Sequence, residues 1–284
     1  MEPLRKREGD VWDRRQESRI NIGEPVQVKR LDRGWMYVST EATEGYAKEE
    51  GIFVCRRNHY ERYCKLLRKA FQVVLKPGRY KDGQYFRVGT VLPVFEGVEN
   101  VENVGMLGTI KSDAERMPAE GPVLIRQFLP FTERQLHLQM ERMLDIPYSW
   151  GDERVDGMDC SSTVRGFYAC FGLALPRNSE SQRSFGETLC TMGQGQYVDL
   201  AALPTDKKAE CIAKMGIGTV LHMQGHVMIY AGEEKGEPRI FHNCDTYRSN
   251  GEEHIVRKTV ISPFFPKGEG TYLDYVTAGW RPFL

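Results

Sequence analysis

Near residue 130 the chain changes the period of its hydrophobic pattern, and this switch most constrains its fold. Upstream, "EPVQVKRL", "GWMYVST" and "EGYAKEEGIFV" alternate apolar and polar residues, with turn formers between them. "NHYERYCKLLRKAF" (58–71) interrupts them with Tyr60, Tyr63, Leu66, Leu67 and Ala70 near a 3.6-residue period. Strand-like stretches resume in "QVVLKPG", "YFRVGTVLPVFEG", "VGMLGTIK" and "GPVLIRQF". The spacing predicts small β modules over residues 20–125, a layout that serves recognition more than chemistry.

Downstream, helices come first. "FTERQLHLQMERML" pairs Thr132 with Gln135 as a capping box and puts 136, 140, 143 and 144 on one face. After the turn-rich "DIPYSWGDERVDG", Val164, Phe167, Tyr168 and Phe171 keep helical spacing up to Gly172. "LPRNSESQRSFG" predicts another helix start, with Ser179 and Gln182 as its capping pair, and "TDKKAECIAKMG" a further helix. Then "GTVLHMQ", "GHVMIYAGEE", "EPRIFHNCDTY" and "DYVTAGWRPF" read as strands. Helices followed by antiparallel strands make an α+β domain.

Of the seven cysteines, Cys160 in "GMDCSSTVRGF" stands where a helix should begin. Unpaired N–H groups at a helix start favour a thiolate and can hold an oxyanion. A structural thiol, a metal ligand and a nucleophile all remain open for it. Histidine separates them. His226 and His242 flank a loop short enough for a hairpin, in which facing residue numbers add to a constant. A turn centred on Glu234 or Lys235 makes that constant even and puts both imidazoles on one face; a single bulge would reverse this. A satisfied sheet histidine is the ordinary reading for either alone. Beside a helix-start cysteine, the pair makes a triad.

"PYSWGD", "MDCSS", "LPR" and "GHVMIY", in this order, resemble the NlpC-type cysteine peptidases, papain-like bacterial enzymes. The likeness covers about 130–284. It implies Cys160 as nucleophile, His226 as general base and His242 as the group orienting it. It also implies SH3-like barrels at 10–57 and 72–127, a connecting helix at 58–71 and a catalytic domain at 130–284. The implied substrate is a murein peptide with a free N-terminal L-Ala, cut at its γ-D-Glu–diamino acid bond. Asp159, Ser161 and Ser179 are the implied holders of its amine and D-Glu carboxylate, with Tyr148 and Trp150 beside them. Glu44 and Tyr46 are candidates from the first barrel, Tyr46 with barrel core as its other reading. Ser162 departs from the family's usual Gly or His; its hydroxyl is expected to fit, with the pocket rim as the place it could alter. A stretch around 190–212 reads as an insertion.

Composition trims the alternatives. Lys+Arg and Asp+Glu both number 39, so no overall basic field points to nucleic acid. No apolar run reaches the ~20 residues of a membrane span, and the N-terminus carries no secretion signal. The chain is expected in the bacterial cytoplasm, or in the periplasm or outside the cell after loss of a leader. No cofactor is implied. Three rivals remain: an acyltransferase or amidase using the same thiol, an inactive wall-binding protein, and zinc held by Cys160, His226 and His242. For the last, no HExxH or close ligand pair gives support.

Overall fold

In the computed structural model, residues 16, 18–79, 85–94, 122–152, 154 and 156–283 are described. They form two units, Ile20–Phe128 and Leu129–Leu284, the latter joined by the N-terminal residues through Arg19.

In the first unit, β1 (Gln27–Asp32), β2 (Trp35–Ser39) and β3 (Glu44–Lys48) make an antiparallel meander. Its alternation is real: Met36 and Val38 are buried, while Trp35, Tyr37 and Ser39 between them stay partly exposed. Helix α1 (Arg57–Lys69) follows. Next come β4 (Phe71–Lys76), β5 (Gly78–Arg79), β6 (Tyr85–Phe86), β7 (Val91–Pro93) and β8 (Val123–Ile125). β4 is central between β7 and β8, and Val74, Phe86 and Leu92 form a small core with Ile22 and Leu124. Among the described residues the strands form separate small sheets and no closed barrel. The expected strand "VGMLGTIK" lies outside the described residues.

The second unit is built on one antiparallel sheet, in the order Glu252–Pro263 (β13), Glu237–Ser249 (β12), His226–Glu234 (β11), Val220–Met223 (β10), Ala278–Pro282 (β16) and Gly195–Asp199 (β9). Its helices are α2 (Glu133–Arg142), α3 (Cys160–Ala169), α4 (Ser179–Thr191), α5 (Thr205–Met215) and the short α6 (Tyr272–Tyr275), with a single 3-10 turn at Trp150–Asp152. Its strands are β9 (Gly195–Asp199), β10 (Val220–Met223), β11 (His226–Glu234), β12 (Glu237–Ser249), β13 (Glu252–Pro263) and β16 (Ala278–Pro282), plus a two-stranded ribbon of β14 (Pro266–Lys267) and β15 (Gly270–Thr271). The stretch around 190–212 is thus part of the frame: β9 pairs with β16 at the sheet edge, and α5 follows.

α3 lies against the sheet through its apolar stripe. Phe167 stacks toward Phe241 at 5.8 Å and Tyr168 toward Trp280 at 5.7 Å, all four fully buried. These rings fix the axis of α3 and therefore the position of its first residue. Two expected caps differ. Thr132 does accept from the Gln135 N–H, but its own N–H goes to the Pro130 carbonyl, so the reciprocal half of the box is not made. The cap of α4 is Asn178, which accepts from Ser181 N at 2.8 Å; Ser179 is one residue inside. Gln182 donates across to the carbonyls of Ser161 and Pro176, both at 2.9 Å, and so ties α4 to α3.

Candidate active site

Cys160 is the first residue of α3. Asp159 caps that helix, accepting from Ser162 N at 2.8 Å, while Ser162 Oγ accepts from Asp159 N at 2.9 Å. This reciprocal box satisfies two donors at the helix start and holds the Asp159–Ser162 turn rigid. The Cys160 residue stays partly accessible. Its sulfur is close to the N–H groups of Ser161 and of Val227, the residue after His226. Burial pushes the thiol up to about 12, the Asp159 carboxylate adds to this, and those N–H groups and Arg177 oppose it. The resting sulfur is therefore a thiol.

The imidazoles face the same way. His226 Nε2 and His242 Nδ1 are 2.8 Å apart, and His242 Nε2 is 3.1 Å from Ser262 Oγ. Tyr272 and Phe265 wall the pair with ring centroids 5.2–6.2 Å away. Burial lowers His226 to about 4, with the Lys267 charge assisting; burial also holds His242 well below its usual value. Both are neutral at pH 7. Because His226 Nε2 is engaged by His242, proton exchange with a thiol falls to Nδ1. The two rings point lone pair to N–H at one another, an arrangement for a hydrogen bond and not for two ligands converging on a metal.

The shared face arises by a route different from the expected one. Glu234 faces Glu237 across a two-residue turn at Lys235 (φ 54°) and Gly236 (φ 79°). That turn alone gives an odd register and opposite faces. A bulge between Tyr230 and Gly232 takes up one residue, so Ile229 faces Phe241 and Tyr230 faces Ile240. Turn and bulge cancel.

Behind Cys160 lies a buried charge cluster. Arg177 donates to Asp159 Oδ1 at 3.1 Å and Oδ2 at 2.5 Å, donates to Ser161 Oγ at 2.9 Å, and lies 3.4 Å from Asp152 Oδ2. Ser161 Oγ is also 3.0 Å from Asp159 Oδ1, and Gly151 N donates to Oδ2 at 3.2 Å. Ser162, whose hydroxyl was expected to fit, is 4% exposed and donates to Asp152 Oδ1 at 2.7 Å. Its hydroxyl is an internal strut because the helix cap turns it inward.

Asp152 and Arg177 are the residues that local reading missed. The signal was present in "WGD" and "LPR", but only the fold shows that these motifs meet. Gly151 (φ 57°) and Asp152 (φ 60°) are both left-handed, a conformation uncommon for aspartate. The N-terminal segment braces this turn. Gln16 Nε2 donates to the Gly151 carbonyl and Arg19 Nε to that of Asp152, each at 3.0 Å, and Arg177 Nε donates to Ser18 Oγ at 3.1 Å.

Of the remaining candidates, Tyr148 is buried, its phenol raised first by burial and then by the neighbouring Cys160 and Asp159. Trp150 is 40% exposed, and Ser179 is half-buried at the first turn of α4. Glu44 and Tyr46 belong to the other unit. Glu44 takes Lys29 at 2.5 Å and the Tyr37 hydroxyl at 3.0 Å. Tyr46 is exposed, against Tyr37 and Arg30, so its core reading is corrected. It faces solvent because it sits opposite Tyr37, on the outer side of the meander.

Among known protein families, residues 145–258 match the NlpC/P60 family. An NlpC/P60 endopeptidase from Photobacterium damselae subsp. piscicida has a similar structure, with TM-score 0.59 and 14% identity over 88% of this chain and 61% of that one. An NlpC/P60 family protein from Bacillus cereus ATCC 10987 gives TM-score 0.55 and 16% identity over 91% and 79%. The chain thus spans about three fifths of the first of these structures. A search of curated protein sequences found no match. Among the described residues no helix is long and apolar enough to cross a membrane.

Proposed function

We propose, from the match of residues 145–258 to the NlpC/P60 family, that the chain is a cysteine peptidase that cuts the γ-D-Glu–diamino acid bond of murein peptides with a free N-terminal L-Ala. Cys160 attacks the scissile carbonyl. His226 accepts the thiol proton at Nδ1 as attack proceeds and returns it to the leaving amine, and His242 holds the His226 ring in place. The N–H groups around the start of α3 receive the developing oxyanion.

The observation that carries this reading is the meeting of a helix-start thiol with the strand that bears His226, itself hydrogen-bonded to His242. Neutral thiol beside neutral imidazole means that proton transfer accompanies attack. For the substrate end, Asp152 and Asp159 both contact Arg177. A carboxylate suits an ammonium group, with Asp159 and Ser161 nearest the nucleophile in sequence. Ser179, Tyr148 and Trp150 complete the proposed peptide contacts. Glu44 and Tyr46 are the proposed contribution of an SH3-like first module at 10–57. Such modules at 10–57 and 72–127, joined through 58–71, would precede the catalytic domain at 130–284.

The test is incubation with L-Ala-γ-D-Glu–diamino acid peptides, free and N-acetylated, with analysis for the released dipeptide. Cleavage of the free peptide, lost in Cys160→Ala, is the expected outcome. Activity persisting in that variant would sink the mechanism. Equal cleavage of both peptides would remove the amine requirement and leave the peptidase reading standing.

A further inference from the structure

The proton that decides which nitrogen of His226 can act as base is set two residues away from it, on a strand that carries none of the family motifs. Ser262 lies on β13, 7% exposed. In the register of β12 with β13, His242 faces Val260 and Ile240 faces Ser262. Ser262 is thus the diagonal neighbour of His242 on the same face, within reach of its side chain. Its Oγ is 3.1 Å from His242 Nε2 and 2.8 Å from the Pro263 carbonyl oxygen.

A hydroxyl has one proton to give. Two oxygens 2.8 Å apart repel unless that proton lies between them, so Ser262 donates to the Pro263 carbonyl. Its oxygen then presents a lone pair to His242, and His242 must supply the proton from Nε2. In a neutral imidazole this leaves Nδ1 as acceptor. The 2.8 Å contact to His226 is then made by the Nε2–H of His226, and His226 Nδ1 carries the free lone pair. The opposite tautomers would put a proton on His226 Nδ1, where the thiol proton has to go, and would aim two lone pairs at each other between His242 and Ser262.

We propose that Ser262 is a positioning residue that fixes the tautomers of His242 and His226, and so keeps His226 Nδ1 ready to receive a proton. The catalytic consequence rests on the proposed roles of Cys160 and His226; the tautomer assignment itself does not. Burial of both rings keeps them neutral, which is the condition under which a tautomer, and not a charge, is what needs fixing.

The test reads the tautomers directly. In the full chain carrying 15N-labelled histidine, long-range 1H–15N correlations at pH 7.5 distinguish Nε2–H from Nδ1–H rings, with assignment through His226→Gln. The wild-type protein should show His226 and His242 both protonated at Nε2. Ser262→Ala should shift part or all of the pair to Nδ1–H, and Ser262→Thr should restore the wild-type pattern. Wild-type rings protonated at Nδ1, or an alanine variant that is folded by near-UV circular dichroism yet keeps the wild-type tautomers, would overturn the proposal. If the alanine variant does not fold, the wild-type spectrum alone decides. On the free-amine peptide, Ser262→Ala should lower kcat on the order of 10- to 100-fold with KM unchanged, and threonine should recover it. No cleavage by the wild-type protein would defeat the substrate reading and leave the tautomer result in force.

Discussion

Acid should unfold the sheet-bearing unit through its buried histidines, by an amount that can be worked out. His226 is lowered to about 4 and His222 to about 3, against an ordinary value near 6.5. For His222 the cause is burial first, then the Arg183 charge. The structure adds a reason: Trp280 Nε1–H donates to His222 Nε2 at 2.9 Å, so a proton on that nitrogen would face another N–H. A group whose folded pKa is depressed binds its proton only on unfolding. Its stabilising effect is complete above about pH 6.5 and is lost as pH falls toward the folded value. At pH 5 each unfolded ring is almost fully protonated and each folded ring almost fully neutral. Moving from pH 7.5 to 5 therefore costs about 2 kcal/mol for each, or about 4 kcal/mol together. The figure is insensitive to how far below 4 the folded values lie. His242 acts in the same direction. Against a total stability of roughly 5–15 kcal/mol this is a large loss, in a range where ordinary carboxylates stay mostly ionised.

Urea unfolding followed by near-UV circular dichroism at pH 7.5, 6.5, 5.5 and 5.0 measures it. His222→Gln is the informative variant, because the glutamine Oε1 can still accept from Trp280 but does not titrate. Its loss between pH 7.5 and 5 should be smaller than that of the wild type by about 2 kcal/mol. The reasoning is refuted if the wild-type protein loses under about 1 kcal/mol over that range, or if the glutamine variant keeps the full pH slope.

Two further outcomes follow from the cluster around Cys160. Arg177→Met leaves Asp152 and Asp159 buried without their cation and should lower stability by about 3–5 kcal/mol in urea unfolding at pH 7.5; a loss under about 1 kcal/mol would show that the pair is not needed. Since the thiol is pushed up to about 12, carboxamidomethylation of Cys160, located by peptide mass spectrometry, should accelerate about tenfold per pH unit between pH 7 and 9. A rate already flat below pH 7 would instead show a preformed thiolate.

How far the sequence could be read depended on the range over which each feature is encoded. The start of α3 was legible because an acid, a cysteine and an apolar stripe occupy adjacent positions, and β11 because Val227–Ala231 is an unbroken apolar run. β13 was not, since "EEHIVRKTVISP" is an outer strand with polar residues on both faces, and Ser262 went unseen with it. The Arg177–Asp159–Asp152 cluster joins residues up to 25 positions apart, and nothing local reports that they meet. The partner of the Ser162 hydroxyl was hidden for a related reason: it is Asp152, ten residues upstream. Family resemblance supplied the proposed roles of the site; the register of the strands showed how two histidines 16 residues apart come to touch.

That register also limits how the protein can change. The hairpin between His226 and His242 works because an odd turn and a one-residue bulge offset each other. Straightening the strand so that Ala231 joins the ladder, with the turn unchanged, would bring Ile229 opposite His242 and put the two imidazoles on opposite faces. Deleting Ala231 removes the residue and the bulge together, leaves Tyr230 opposite Ile240, and keeps both imidazoles on one face. The proposed triad therefore depends on the parity of this hairpin, turn and bulge taken together, and on no individual side chain in it.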